Sequence, residues 1–318
     1  MKNKIKNSII FTTLAIILMY MINKIIFVFS SMKNLLSTDK GLYFEWRFGN
    51  IYYTKRGNGT PLLLIHELSP YSSDIEWDEL VDKLSKDYTV YTLDLLGCGR
   101  SDKPNITYTN YLYVQLISDF TKKIIGKKTN IIATGLSSSF VIMACHNDPD
   151  LFQKMMFINP TDLKIIAKAP SKRTKLLKIL LEFPVIGTLI YNIVSSRKYI
   201  ENTFLENYYF NPFKVQSKYI NSYYESAHLG GPNARFLLSS IKGNYVNVNI
   251  IHALKEINHS IYLVGGVEEP YLKDTLETYV FYNNAIEVTS IKNAKHLPQL
   301  ETPQALLEQI KIYFSEQN

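Results

Sequence analysis

The sequence predicts an α/β fold: a mostly parallel central sheet with helices on both faces, an inserted helical lid, and an N-terminal apolar segment ahead of it. Three observations predict it. Short continuous apolar runs alternate with runs of helical period over residues 41–160 and again over 256–318. That alternation stops between 161 and 255, and an apolar stretch opens the chain. Strands buried on both faces read as unbroken apolar runs, which points to a parallel sheet with its site at the carboxyl ends of the strands. The 318 residues are 46% hydrophobic and 20% charged, with 14 Gly and 12 Pro and no fixed period, so collagen, coiled-coil and solenoid architectures are excluded.

Residues 1–31 form the first unit. Lys2, Lys4 and Lys6 precede the apolar run Ser8 to Ile22, and a second run follows from Ile25 to Phe29. The whole is long enough to span hydrocarbon. No A-x-A cleavage site follows, and Val28 with Ser30 is the best substitute, so an uncleaved anchor is expected. The lysines at its start place the N-terminus in the cytoplasm. The expected location is therefore the cell membrane, single-pass, with the bulk of the chain extracytoplasmic.

The core begins with a hairpin over Tyr43 to Lys55 that turns at Gly49-Asn50. Pro61 to Ile65 reads as a strand, Trp77, Leu80, Val81 and Leu84 as a helix face, and Val90 to Leu95 as a strand. Val114, Ile117, Phe120 and Ile124 mark the next helix. A strand at Asn130 to Thr134, a helix from about Ser138 and a strand at Met155 to Ile158 complete this half. Residues 161–255 make the lid. Beyond it come a strand at Ser260 to Val264, a helix near Leu272 to Tyr279, a strand at Ile286 to Ser290, and a last helix begun by Thr302 and Pro303. Leu306, Ile310 and Phe314 are its buried stripe. The core, 41–160 with 256–318, is thus discontinuous.

Net charge is +7, concentrated in residues 1–40 and in the lid. No basic zipper, Cys/His finger or stacking platform accompanies it, so nucleic acid is not an expected partner, whereas a membrane surface is. In the lid, Lys175, Lys178 and Glu182 share one helix face while Leu176, Leu177, Ile179, Leu180 and Leu181 cover the rest, a pattern open to both core packing and contact with anionic lipid. Cys98 and Cys145 have no ligand spacing, which leaves no basis for a zinc site or a disulfide framework.

The chemistry-bearing residues sit at strand ends. Asn130 to Thr134 runs into Gly135-Leu136-Ser137-Ser138-Ser139, which puts Ser137 on a strand-to-helix turn, where a neighbouring N–H can bind an oxyanion. A hydroxyl needs a base and the base an orienting acid. His296 follows the last strand, and Glu269 follows Ser260 to Val264, with Glu268 beside it as the alternative.

These features resemble the α/β-hydrolase superfamily, in its single-lid, serine-nucleophile branch. Leu62 to Leu68 stands where that family has its His-Gly oxyanion loop, Asp94 to Asp102 matches D-x-x-G-x-G-x-S, and His296 to Pro303 resembles H-x-x-x-x-E-x-P. The resemblance implies a serine hydrolase acting through Ser137, His296 and Glu269. The N–H groups of Leu68 and Ser138 form its oxyanion hole, and it needs neither metal nor organic cofactor. It further implies a small carboxylic ester or related acyl substrate, with an iminopeptidase-like amidase or a non-catalytic binding protein as alternatives. Dehalogenases and epoxide hydrolases carry Asp at the nucleophile position, so Ser137 there excludes both. Four positions depart from the pattern: Glu67 replaces the oxyanion-loop glycine, Ser139 the second elbow glycine, Lys295 the glycine before the His, and Glu269 stands where Asp is commoner.

Overall fold

A computed structural model describes residues 2–37 and 41–315, with the backbone alone for Lys2 and Asn3. Met1 of the expected N-terminal segment and 316–318 of the expected core lie outside them. Among the described residues, eight strands form one sheet: β1 (Leu42–Trp46), β2 (Gly49–Arg56), β3 (Thr60–Ile65), β4 (Tyr88–Leu93), β5 (Thr129–Thr134), β6 (Phe152–Ile158), β7 (Ser260–Gly266) and β8 (Glu287–Ile291), in the order β1-β2-β4-β3-β5-β6-β7-β8. β1 and β2 pair antiparallel, as do β2 and β4; the other pairings are parallel.

The helices in chain order are α1 (Lys2–Ser30), α2 (Asp78–Leu84), α3 (Asn110–Phe120), α4 (Ser137–Asn147), α5 (Leu163–Ile166), α6 (Lys172–Glu182) and α7 (Ile186–Val194). They continue with α8 (Arg197–Thr203), α9 (Ser217–His228), α10 (Arg235–Lys242), α11 (Ile251–Glu256), α12 (Leu272–Tyr282), α13 (Pro298–Glu301) and α14 (Pro303–Phe314). Side chains alternate across the pleat, so each strand feeds two cores. Leu63, Ile65, Ile131 and Ala133 pack on one face with residues of α3, α4, α11 and α12. Leu62, Leu64 and Ile132 pack on the other with Trp77, α2 and α14.

This topology brings the loops after β3, β5, β7 and β8 to one edge, because the register pairs Ile65 with Ala133, Ile158 with Val264, and Gly266 with Ile291. Helices α5 to α11 lie between β6 and β7 in the chain; α5 and α11 pack in the core on the sheet face, while α8, α10 and Tyr208 cover this edge. β4 stops at Leu93, two residues short of the expected end. Asp94 is drawn out of the strand to accept hydrogen bonds from Asp74 N, Arg100 N and the Arg100 guanidinium. The D-x-x-G-x-G-x-S segment is therefore a braced turn: the Arg100 guanidinium also pairs with Asp74 and lies 3.7 Å from the Tyr52 ring centroid.

Helix α1 is long and apolar enough to cross a membrane, with a mean hydropathy of 2.1 in its most apolar window. Most of it is exposed, whereas Asn23, Phe27 and Ser30, spaced along one face of its last two turns, are buried against the lid.

Candidate active site

The strand-to-helix turn after β5 is the first surprise. Its left-handed residue is Gly135, at φ +54°, and Ser137 already stands in the first turn of α4. A nucleophile presented by such a turn occupies the strained residue between strand and helix. Gly135 holds that position and has no side chain to offer. Ser137, two residues on, is fully buried and its Oγ donates to the carbonyl oxygen of His66 at 2.7 Å. The expected pairing of Ser137 with His296 is therefore not what the structure holds, because the helix has already turned the hydroxyl away from the imidazole. The expected oxyanion donor Ser138 needs the same correction: its N–H donates within the turn to Gly135 O at 3.3 Å. Leu136 comes next after the left-handed residue, and the amides of Leu136 and Leu68 donate to no protein group among the described residues.

A different side chain stands before the histidine. A Cβ built on Gly135 would lie 2.6 Å from Glu67 Oε1, so the Glu67 carboxylate occupies the space a nucleophile would fill. His296 Nε2 donates to Glu67 Oε2 at 2.7 Å, and its Nδ1 donates to Glu269 Oε1 at 3.2 Å. Glu268 is exposed and directs no side-chain bond at the histidine. The imidazole is thus clamped between two carboxylates. Burial works against its charge, but the Glu67 charge and the bonds to Glu269 and Glu67 outweigh it and hold the pKa well above 6.5. With a carboxylate on each ring nitrogen, His296 is held toward its charged, imidazolium form.

Glu67 is fixed from behind. His66 donates from Nδ1 to Glu67 O at 2.7 Å and accepts Leu95 N at Nε2, so this buried ring is neutral and pins the loop after β3. The Glu67 N–H donates to the wholly buried Glu76 carboxyl, which also accepts Gln299 Nε2 at 2.9 Å. Asn159, at φ +43°, ties three loops together: its amide donates to Lys295 O and His296 O, and its Oδ1 accepts Gly266 N. Tyr208 from the lid stacks on the His296 ring at 5.1 Å, and its carbonyl accepts His296 N. The Glu301 carboxylate accepts Lys295 N, Phe210 N and Asn211 N, which locks the histidine loop to the lid.

The pair faces a cavity of about 390 Å³ walled by Glu67, Leu68, Tyr71, Tyr199, Tyr208 and His296, among others; Ser137 is not in its wall. Away from it, His146, His252 and Glu256 on α4 and α11 bring ligand atoms within 4.8 Å of one another, the one metal-ligand cluster among the described residues.

Burial, then the Glu67 charge, raises the Glu76 carboxyl to about 7 from 4.5. A carboxyl raised on folding opposes the fold when ionised: the penalty is absent below about pH 4.5 and complete above pH 7. Glu76→Gln keeps a carbonyl acceptor for both donors. It should leave Tm unchanged near pH 4 and raise it by several degrees near pH 8, about 2–4 °C per kcal/mol recovered. Thermal melts at the two pH values check this, and an equal shift at both would remove ionisation as the cause.

A strained turn after β5, an acid after β7 and a histidine after β8 define a hydrolase-type site. The chain belongs to the family with the alpha/beta hydrolase fold, whose model matches residues 60–303. Among curated proteins it is similar to a 2-hydroxy-6-oxo-6-(2'-aminophenyl)hexa-2,4-dienoic acid hydrolase of Metapseudomonas resinovorans, 33% identical over 95 residues, 27% of this chain and 33% of that protein. Relatives of this kind are matched over only 30–37% of their own length. Among solved structures, a serine hydrolase of carbazole degradation has a TM-score of 0.70 at 16% identity, covering 86% of this chain and 98% of that one. A membrane phospholipase A has a TM-score of 0.68 at 16% identity, covering 98% of each chain. With Gly135 at the elbow, the exclusion of carboxylate-nucleophile chemistry that rested on Ser137 no longer holds.

Proposed function

We propose that this protein is a membrane-anchored hydrolase whose reacting carboxylate is Glu67, delivered by the loop after β3 to the place left empty by Gly135. The observation that carries the reading is the Glu67 carboxylate lying beside the missing Cβ of Gly135 while bonded to His296. Two carboxylates clamped on one buried histidine, with the buried Glu76 carboxyl behind them, are costly to bury, and such electrostatics mark sites of function.

Carboxylate nucleophiles match strained or activated sp³ carbon. Attack on an ordinary ester would give a high-energy anhydride, whereas attack on an epoxide carbon gives a stable glutamyl ester. In the first half-reaction a Glu67 oxygen bonds to carbon, the C–O bond of the ring breaks, and the proton held by His296 ends on the leaving oxygen. Esterification removes the Glu67 charge, so the imidazole loses one of the two carboxylates that favoured its protonated form. The neutral ring, oriented by Glu269, then takes a proton from water as that water attacks the glutamyl carbonyl. The amides of Leu68 and Leu136 are placed to hold the resulting oxyanion. The intermediate collapses, the proton of the added hydroxyl passes to the departing alkoxide, and the diol leaves with the Glu67 carboxylate and the imidazolium restored.

Retention of α1 is supported by its docked end. Asn23 donates to Val185 O and accepts from Asn192, and both asparagines are buried. Cleavage after Ser30 would strip Asn192 of that partner.

A single turnover of a terminal epoxide in H₂¹⁸O is the test, followed by mass spectrometry of the peptide that holds Glu67. Label in Glu67 supports the covalent route, and Ser137→Ala should keep most of the turnover. Label in the diol alone would replace the nucleophile with a directly activated water. Fluorophosphonate labelling lost in Ser137→Ala would restore the Ser137, His296 and Glu269 triad. No turnover of epoxides or esters by wild type would favour a binding protein that keeps the fold.

A further inference from the structure

A second and larger cavity, about 520 Å³, lies between α1 and the lid, away from the reacting pair. Tyr20, Phe27 and Val28 of α1 form one wall, and Pro184, Val185 and Pro232 the other. Its volume falls within the roughly 300–1,000 Å³ of small-molecule sites. The lining is mostly apolar, yet two cations enter it, Lys24 from α1 and Arg235 from α10. No carboxylate lines it among the described residues. Lys24 has no ion pair there, and the Arg235 guanidinium donates only to the carbonyl oxygens of Pro232 and Glu182, with Nε unpartnered. The nearby Glu182 carboxylate is already taken by Lys178 and Ser239.

The cavity also holds an acceptor without a donor. His228 is buried and lines it; Nδ1 donates to Tyr224 O at 2.7 Å, which leaves Nε2 as a lone-pair acceptor with no partner. Burial lowers its pKa to about 4, so the ring stays neutral and does not supply its own proton. Two cations without a carboxylate ion pair, one neutral acceptor and apolar walls describe the complement of an amphiphile with a phosphate and a hydroxyl. The position selects its source. The exposed length of α1 leads from this cavity into the span that would lie in the membrane, and Leu176, Ile179, Phe183 and Ile186 of the neighbouring lid are also exposed.

We propose that this cavity binds one anionic phospholipid of the phosphatidylglycerol type, its phosphate between Lys24 and Arg235, its headgroup hydroxyl on His228 Nε2, and its chains leaving along α1. The bound lipid joins anchor and lid through groups that neither supplies alone. This rests on α1 being a retained anchor.

Full-length protein in nanodiscs of equal phosphatidylglycerol and phosphatidylcholine, released into a native mass spectrometer, reads the site directly. One phosphatidylglycerol should remain per chain, and the pair Lys24→Gln with Arg235→Gln should lower its retention roughly thirtyfold, the worth of two interfacial cations. Melting temperature and membrane sedimentation of the variant confirm that the fold and anchor persist. Equal retention of the two lipids, or no change in the variant, overturns the site. A melting shift by glycerol phosphate alone that needs both cations and matches the lipid's would assign it to a soluble anion and overturn the lipid. A mature chain beginning after Ser30, or one that does not sediment with membranes, defeats the anchor instead and is visible before any lipid is measured.

Discussion

Glu67→Gln should lower turnover by about 10⁴-fold or more, the scale seen when a nucleophile or its essential partner is removed. The amide is nearly isosteric and can still accept from His296 Nε2, so the loop is expected to keep its place, while the nucleophilic charge is gone. The same substitution has a second consequence. His296 owes its raised pKa first to the Glu67 charge and then to its bonds with Glu269 and Glu67, so the variant's imidazole should deprotonate at a lower pH than the wild type's. In linkage terms, a histidine raised on folding contributes stability that is fully present below 6.5 and lost as pH rises through the raised value. Wild type should therefore lose this contribution only well above neutrality, and Glu67→Gln should lose it earlier. An NMR titration of the His296 ring beside steady-state turnover separates the two effects. Unchanged turnover with a lowered pKa would leave Glu67 an electrostatic neighbour and no nucleophile.

The sheet was legible in the sequence because its central strands are buried on both faces, and β3, β5 and β7 accordingly read as apolar runs with turn residues after them. His296 and Glu269 were legible for the same reason: each follows a strand end, and the structure brings them to 3.2 Å. The left-handed residue of the turn stands two residues before Ser137. Gly-x-Ser-x-small fixes a pattern but no backbone conformation, and only φ shows that the strained residue is Gly135 and that α4 has begun by Ser137. Glu67 was visible as a departure from the oxyanion-loop pattern, and Gly135 as the first residue past an apolar strand. Neither carries its meaning alone. The missing side chain at 135 and the added one at 67 are far apart in the chain, and only their shared volume shows that one substitutes for the other. Glu301 was visible as the acid of H-x-x-x-x-E-x-P, but not its role of tying the histidine loop to the lid; Asn159 and Tyr208 gave no signal, since their work is to hydrogen-bond or stack on a loop far away in sequence.

That shared volume leads to the second large expectation. Gly135→Ser alone should destabilise the protein. Its Cβ would meet Glu67 Oε1 at 2.6 Å, and a serine at φ +54° carries left-handed strain of about 1–2 kcal/mol. Glu67→Gly removes the obstructing carboxylate and frees the space in front of His296. The double variant should therefore be more stable than the sum of the two single effects allows, a coupling of about 0.5–3 kcal/mol expected of residues in contact. It should also acquire chemistry that neither single variant has. The new hydroxyl would stand at the strained position of the turn, facing His296 Nε2, with the Leu68 and Leu136 amides beside it and one carboxylate, Glu269, still orienting the ring. Losing the Glu67 charge brings the imidazole back toward the neutral form that a serine's general base requires. Fluorophosphonate should label the double variant and fail to label wild type, Glu67→Gly or Gly135→Ser. Labelling of Glu67→Gly alone would mean that Ser137 swings to His296 once the carboxylate is gone, and additive stabilities without labelling would show that Glu67 and residue 135 do not compete for one place.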